Sequence, residues 1–256
     1  MKKNLFTLLV LPSFILFSSC QKNSNTDQTT NSDKVKTYTE DITSPGSPEI
    51  SATYNISYDG NNRITGVIPT NSSGVKFLFT YSSNSKFSLD LYNSGALSIH
   101  EDIFLNSNSL FDSTFQYNDT NDTTTEKYFY NSNNQLITLN EYDYSKNYGS
   151  QISNVTTYTY DSNGNVVKAT DTNNQIETFE YYPDLVYIMP FTNPFLNHAL
   201  NSSKKTNLLK THTVTSNGYL VGSATSTYTF DSNNRISTIT QTTDDGTIAV
   251  QTFTYF

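Results

Sequence analysis

From Ser51 onward the chain alternates. Tyr54, Ile56 and Tyr58 take every second place, as do Phe77, Phe79 and Tyr81, and then Phe87, Leu89 and Leu91, with polar residues between them. Side chains two apart share one face of a strand, so each run writes a strand with one buried face. No window of a dozen residues between Ser51 and Ser150 keeps a helical period. The class this predicts is all-β: an antiparallel meander of hairpins forming a strongly curved sheet or a barrel.

The turns between the runs carry the clearest signal. Tyr158-Thr-Tyr-Asp-Ser-Asn-Gly-Asn-Val-Val-Lys168 brings an aromatic alternating run to a tight polar turn at 161–165 and lets a second run leave it. The same writing recurs around Asp59, Asn131 and Asp231, with Ile64, Leu136 and Ile236 reopening the second strand. Asp and Asn can bond the backbone two residues on, and Asn and Gly tolerate the positive φ of a tight hairpin turn. Looser relatives lie at 81–87, 92–97, 171–176 and 216–220, and a polar Asn-Ser turn sits between Leu105 and Leu110. Their spacing is irregular, which fits a meander and not a solenoid or propeller of fixed period.

Asp161-Ser-Asn163-Gly-Asn165 also opens like a calcium loop. Such a loop needs Gly at its sixth place and a bidentate Glu at its twelfth, where this chain has Val166 and Thr172. The residues therefore read as turn chemistry. One stretch breaks the alternation. Leu185 to Met189 is continuously apolar, and Asn193-Pro194 then suits a helix start, with Phe195, Leu196, Ala199 and Leu200 on one face. A short helix near 193–201 is expected, covering one opening of the sheet, as a structural plug in preference to a lid.

The amino terminus has a different character. Lys2 and Lys3 precede an apolar stretch from Leu5 to Phe17, and Ser18-Ser19-Cys20 follows. This is the layout of a secretory signal, too short for a membrane span. Its end resembles a bacterial lipobox, which implies residues 1–19 as signal peptide and Cys20 as the lipidated first mature residue. Cys20 is the only cysteine, so neither a disulfide framework nor a cysteine metal site is available. Gln21 resembles the residue that sorts lipoproteins to the outer membrane. Gln21-Lys22 also resembles the start of the surface-export signal of Bacteroidetes lipoproteins, whose acidic continuation is replaced here by Asn23 and Ser24. The localisation read from this is a lipid anchor in the outer membrane, with the periplasmic face or the cell surface left open. Residues 20–48 are polar and read as lipidated Cys and flexible tether, of reach roughly 30 Å at about 5–6 Å per square root of residue number. Residues 49–256 then form a single β domain.

Charge and composition narrow the function classes. The chain carries 15 basic against 23 acidic residues, net −8, and loss of Lys2 and Lys3 with the signal takes it to −10. With no basic patch, nucleic acid is not a partner, and the membrane is met through the anchor. His100, His198 and His212 lack zinc spacing, so no metal site is read. Glu101-Asp102 and Asp244-Asp245 are neighbouring carboxylates, but adjacent strand residues face opposite ways, and the second pair reads as a turn ending at Gly246. No nucleophile elbow, phosphate loop or dinucleotide fingerprint is present, so no catalytic residue and no cofactor are assigned. Asp112-Ser-Thr114 and Asp122-Thr-Thr124 resemble the O-glycosylation sequon of exported Bacteroidetes proteins, which makes Ser113 and Thr123 candidate modification sites.

The Tyr-Asp-x-Asn hairpins, Asn193-Pro194 and Lys205 to Lys210 together resemble a Bacteroidetes lipoprotein family of unknown function with a porin-like fold. The resemblance spans about Ala52 to Phe256 and implies a barrel-like antiparallel sheet with no assigned activity. The hairpins are also similar to the tyrosine–aspartate repeats of Rhs shells, in strand-turn-strand geometry only. Nineteen Tyr and 16 Phe favour aromatic platforms, so the expected role is non-catalytic. It is binding of a small apolar or glycan-like ligand, or of another envelope protein. The alternatives are a purely structural scaffold with a filled barrel, and, less supported, a carboxylate-dependent hydrolase.

Overall fold

A computed structural model describes residues 34–71, 74–117, 123–145, 149–187 and 206–256. Its first eight strands are β1 (Val35–Thr43), β2 (Ile50–Tyr58), β3 (Ile64–Pro69), β4 (Lys76–Tyr81), β5 (Lys86–Asn93), β6 (Ala96–Leu105), β7 (Phe111–Tyr117) and β8 (Thr123–Tyr130). The second eight are β9 (Leu136–Ser145), β10 (Gly149–Tyr160), β11 (Val166–Asp171), β12 (Gln175–Tyr187), β13 (Thr206–Ser216), β14 (Tyr219–Phe230), β15 (Ile236–Thr243) and β16 (Ile248–Tyr255). Every strand pairs antiparallel with its neighbours in the chain, and β1 returns to β16 to close a barrel. Closure leaves no free sheet edge. The all-β hairpin meander read from the alternation is thus the fold. No helix occurs among the described residues, and the helix expected at 193–201 lies outside them, as do residues 1–19, read above as signal peptide, and Cys20.

One boundary moves. Residues 35–43, assigned above to the tether that ended at 48, form β1 and seal the barrel between β16 and β2. The β domain therefore includes residues from Val35 on rather than from 49. Tyr38 explains why this polar segment is ordered. Its ring is buried and stacks on Tyr54 of β2 and Phe253 of β16, at centroid distances of 5.6 and 5.7 Å.

The repeated turn is built as its residues demand. Asp161 Oδ1 accepts from the backbone N–H groups of Asn163 and Asn165, both at 2.9 Å, while Gly164 N–H donates to Asp161 O and Gly164 takes φ +86°. Asp59, Asn106, Asn131 and Asp231 do the same for their own turns, with Asn62, Ser109, Asn134 and Asn234 in the positive-φ place. The Asp161 carboxylate is spent within its own turn, its Oδ2 accepting from Asn165 Nδ2 at 2.8 Å, as turn chemistry requires. In two copies an arginine closes the turn. Arg63 and Arg235 pair with Asp59 and Asp231 at 2.7 Å and lie 4.0 Å over the rings of Tyr81 and Tyr255.

Each of these turns is followed by a register shift: Tyr58 meets Ile64, Leu105 meets Phe111, Tyr130 meets Leu136, Tyr160 meets Val166, and Phe230 meets Ile236. The extra residue of each bulge (Thr65, Asp112, Ile137, Val167 and Ser237) shifts the phase by one, so that the residue before it and the inward positions after it both turn into the barrel. Phe111, Leu136 and Ile236 are accordingly buried to 1% exposure or less. They join a continuous core with Val35, Ile103, Leu208 and Leu209, drawn from strands all round the barrel.

Candidate functional site

Inward positions change character along the strands. Near the repeated turns they are aromatic and aliphatic; further along they become polar. The clearest polar group stands on β6–β9. Glu101 is buried to 7% exposure, and Thr114, one strand on, is drier still. Thr114 Oγ1 donates to Glu126 Oε2 at 3.3 Å, and the Tyr128 hydroxyl donates to the same oxygen. Glu126 stands directly opposite Glu141 in the β8–β9 ladder. Burial and the neighbouring Glu126 push the Glu101 carboxyl up to about 7, against a hydrogen bond from Thr114 and the charge of His100. The Glu141 carboxyl is raised by burial and by Glu126, with an Asn154 hydrogen bond opposing.

A second polar group crosses β12 and β13. His212, 5% exposed, stacks on Phe179 at a centroid distance of 4.8 Å, and its Nε2 lies 3.0 Å from Glu177 Oε2. That hydrogen bond holds the Glu177 carboxyl below its usual range despite burial. Between the turns, Asn165 and Asn207 bond each other, and Asn207 Nδ2 donates to the carbonyls of Tyr182 and Pro183 at 2.8 Å each. These amides pin the β10–β11 turn to β13.

The outer surface divides into two faces. Over β14, β15, β16, β1 and β2, a single cross-strand row reads Thr229, Thr238, Thr252, Thr39, Thr53. Its hydroxyls pair at 2.6 Å (Thr229–Thr238) and 3.0 Å (Thr39–Thr53). Over β5–β9 the corresponding row reads Asp90, His100, Tyr117, Thr123, Tyr144. Tyr117 and Tyr144 are 46% and 44% exposed, and Phe104 packs edge-on to Phe115 beside them. His100 Nδ1 lies 2.6 Å from Asp90, and Asp102 pairs with Lys86 at 3.2 Å.

The residues singled out in the sequence fall as follows. Glu101 and Asp102 point to opposite faces, inward and outward, as strand alternation requires. Asp244 and Asp245 form the last turn: Asp245 Oδ1 accepts from Thr247 N–H at 2.9 Å, and Gly246 takes φ +83°. His100 and His212 lie on separate walls, and His198 is outside the described residues. Among the described residues no group of three His, Cys, Asp or Glu side chains is placed to hold a metal. Ser113 sits in mid-strand on β7 between Phe104 and Lys127, and Thr123 opens β8 between Tyr117 and Tyr144. The Glu101–Glu126–Glu141 group was not singled out. Its signal was present, because Glu126 is in phase with Tyr128 and Tyr130, and Glu141 with Leu139.

A closed, hairpin-connected, 16-stranded antiparallel barrel defines the class. No family model matches the chain, and no curated protein matches it. Among solved structures it is similar to a porin-like protein from Bacteroides uniformis, with TM-score 0.62 and 11% identity over 87% of this chain and 98% of that one. A porin-like protein from Bacteroides vulgatus gives 0.58 and 12% over the same shares. The likeness is one of fold.

Proposed function

We propose that the chain is a lipid-anchored envelope protein whose barrel stands clear of the bilayer as a packed, non-catalytic scaffold, and is not a pore. The observation that carries this is the sense of the strand faces. A barrel that crosses a membrane turns apolar residues to the lipid and keeps a polar lumen. Here the dry, apolar positions face inward, and threonine rows such as Thr229–Thr238–Thr252–Thr39–Thr53 face out. Side chains as dry as Phe111 and Ile103, both at 0% exposure, do not line a water-filled channel. Attachment then falls to Cys20, at the end of the signal. Detergent phase separation of the native protein tests both halves. The wild type is expected in the detergent phase and a Cys20→Ser chain lacking residues 1–19 in the aqueous phase; if that chain stays with detergent, the barrel is lipid-facing.

The outer face of β5–β9 favours glycan binding as the role this scaffold serves. Tyr117 and Tyr144 lie in one row with a single strand between them, about 10 Å apart from the usual strand spacing. Sugar rings present apolar faces edged by hydroxyls, which suit two exposed phenol rings flanked by Asp90, Asp102 and His100. Electrophoresis through gels containing soluble polysaccharides should retard the wild type and release the Tyr117→Ala/Tyr144→Ala double variant. If no polysaccharide retards the wild type, the glycan reading is wrong.

A further inference from the structure

We propose that Glu101, Thr114, Glu126 and Glu141 make the β6–β9 wall a pH-responsive element, closed around a held proton and loosened when that proton leaves. Thr114 has one hydroxyl hydrogen, and it goes to Glu126 at 3.3 Å. Tyr128 gives its hydrogen to the same carboxylate. Glu126 is thereby supplied twice over, while Glu101, 7% exposed, lies diagonal to Thr114, whose ladder partner is Ile103 two residues on; a carboxyl so buried beside a second carboxylate favours its neutral form. Glu126 and Glu141 meanwhile face each other across the β8–β9 ladder, where like charges directly opposed are destabilising.

The ladder partners of Glu101 carry no charge. From β5 the residue opposite Glu101 is Leu89, and from β7 it is Gln116. Tyr128 and Tyr158 face Glu126 from β8 and β10, and Asp143 and Asp171 add further negative charge toward Glu141 from β9 and β11. The lysines of this wall, Lys86 and Lys127, sit at outward positions over the rings of Phe104 and Tyr142. The basic side chain that bears on Glu101 is His100, and it lies on the outer face beside Asp90. With Glu101 protonated, the wall holds two opposed carboxylates; with Glu101 ionised, it holds three. This is independent of any ligand on the outer face.

The sign follows. The Glu101 carboxyl rises from 4.5 to about 7 on folding, so between those values the folded chain keeps a proton that the unfolded chain has lost. Its contribution to stability is whole below pH 4.5 and is lost as pH rises through about 7. The test compares thermal unfolding of the full chain and its Glu101→Gln variant from pH 4.5 to 8. Gln cannot ionise, so the variant's Tm should gain steadily on the wild type up to about pH 7 and then run parallel to it. A Tm difference that is constant across the range would overturn the proposal, since a merely structural role for Glu101 gives that result. Carboxyl-carbon NMR titration of Glu101 in the unaltered chain decides the matter even where the variant does not fold. An inflection near 7 is expected, and one near 4.5 sinks the idea. Hydrogen-exchange protection of β6–β9 amides, taken relative to β14–β16, should drop by at least about tenfold between pH 5.5 and 8.

Discussion

A single tyrosine device recurs at five of the barrel's register shifts. The hydroxyl of Tyr160 donates to Leu136 O at 2.7 Å, that of Tyr181 to Val166 O at 2.8 Å, and that of Tyr255 to Ile236 O at 2.6 Å. Tyr58 and Tyr228 reach Val35 O and Leu209 O in the same way, at 2.9 Å each. Each acceptor sits at a bulge, where the ladder is interrupted and a carbonyl needs another partner. The aromatic choice in the repeat is therefore only partly about packing. Tyr130 is the exception: its buried hydroxyl finds no partner among the described residues. Tyr160→Phe should cost about 1 kcal/mol by leaving a carbonyl unpaired, while Tyr130→Phe should fall within about 0.5 kcal/mol of wild type or gain slightly. Urea denaturation of the two variants measures both, and equal losses would mean that the hydroxyl bonds do not matter.

Strands were legible where apolar residues take every second place, and turns where Asp or Asn begins them. β1 was not, for a physical reason. Residues 35–43 contain only Val35, Tyr38 and Ile42 as apolar positions among Thr, Lys and acidic residues, and the bulge after Val35 throws the first of them out of phase. A polar composition read as tether hid a strand whose order comes from one ring. Tyr38→Ala removes a side chain clamped between Tyr54 and Phe253 at the seam where the first and last strands meet. The expected loss is roughly 3–5 kcal/mol, the range for a buried aromatic, and it should be accompanied by new protease sensitivity on β1 and β16. A loss below about 1 kcal/mol would place the closure in backbone pairing alone. The glutamate group was hidden differently. Phase along each strand put Glu101, Glu126 and Glu141 on the inner side, but only the closed order of strands brings their levels together, and no spacing in the sequence carries that.

At the scale of the whole barrel, two sets of carboxylates pull stability in opposite directions with pH. Glu177, bonded to His212, has its carboxyl lowered, so its contribution stands above pH 4.5 and is lost as pH falls through the lower folded value. Asp59 and Asp231 are lowered by the N–H groups and arginines of their own turns, and Asp245 by Thr243 and Thr247; they act in the same acid window. Glu101 and Glu141 are raised by burial and by Glu126, so they weaken the fold as pH climbs from 4.5, in the case of Glu101 up to about 7. The two windows meet without overlapping. Stability should therefore peak on the acid side, near pH 5, fall toward pH 7, level off above it, and collapse below about pH 4. A thermal-unfolding series in constant ionic strength reads this directly. A maximum at pH 7 or above would mean that water reaches the inner glutamates, and with it that the interior is open; a maximum near 5 is what a barrel with a dry, acid-lined wall requires.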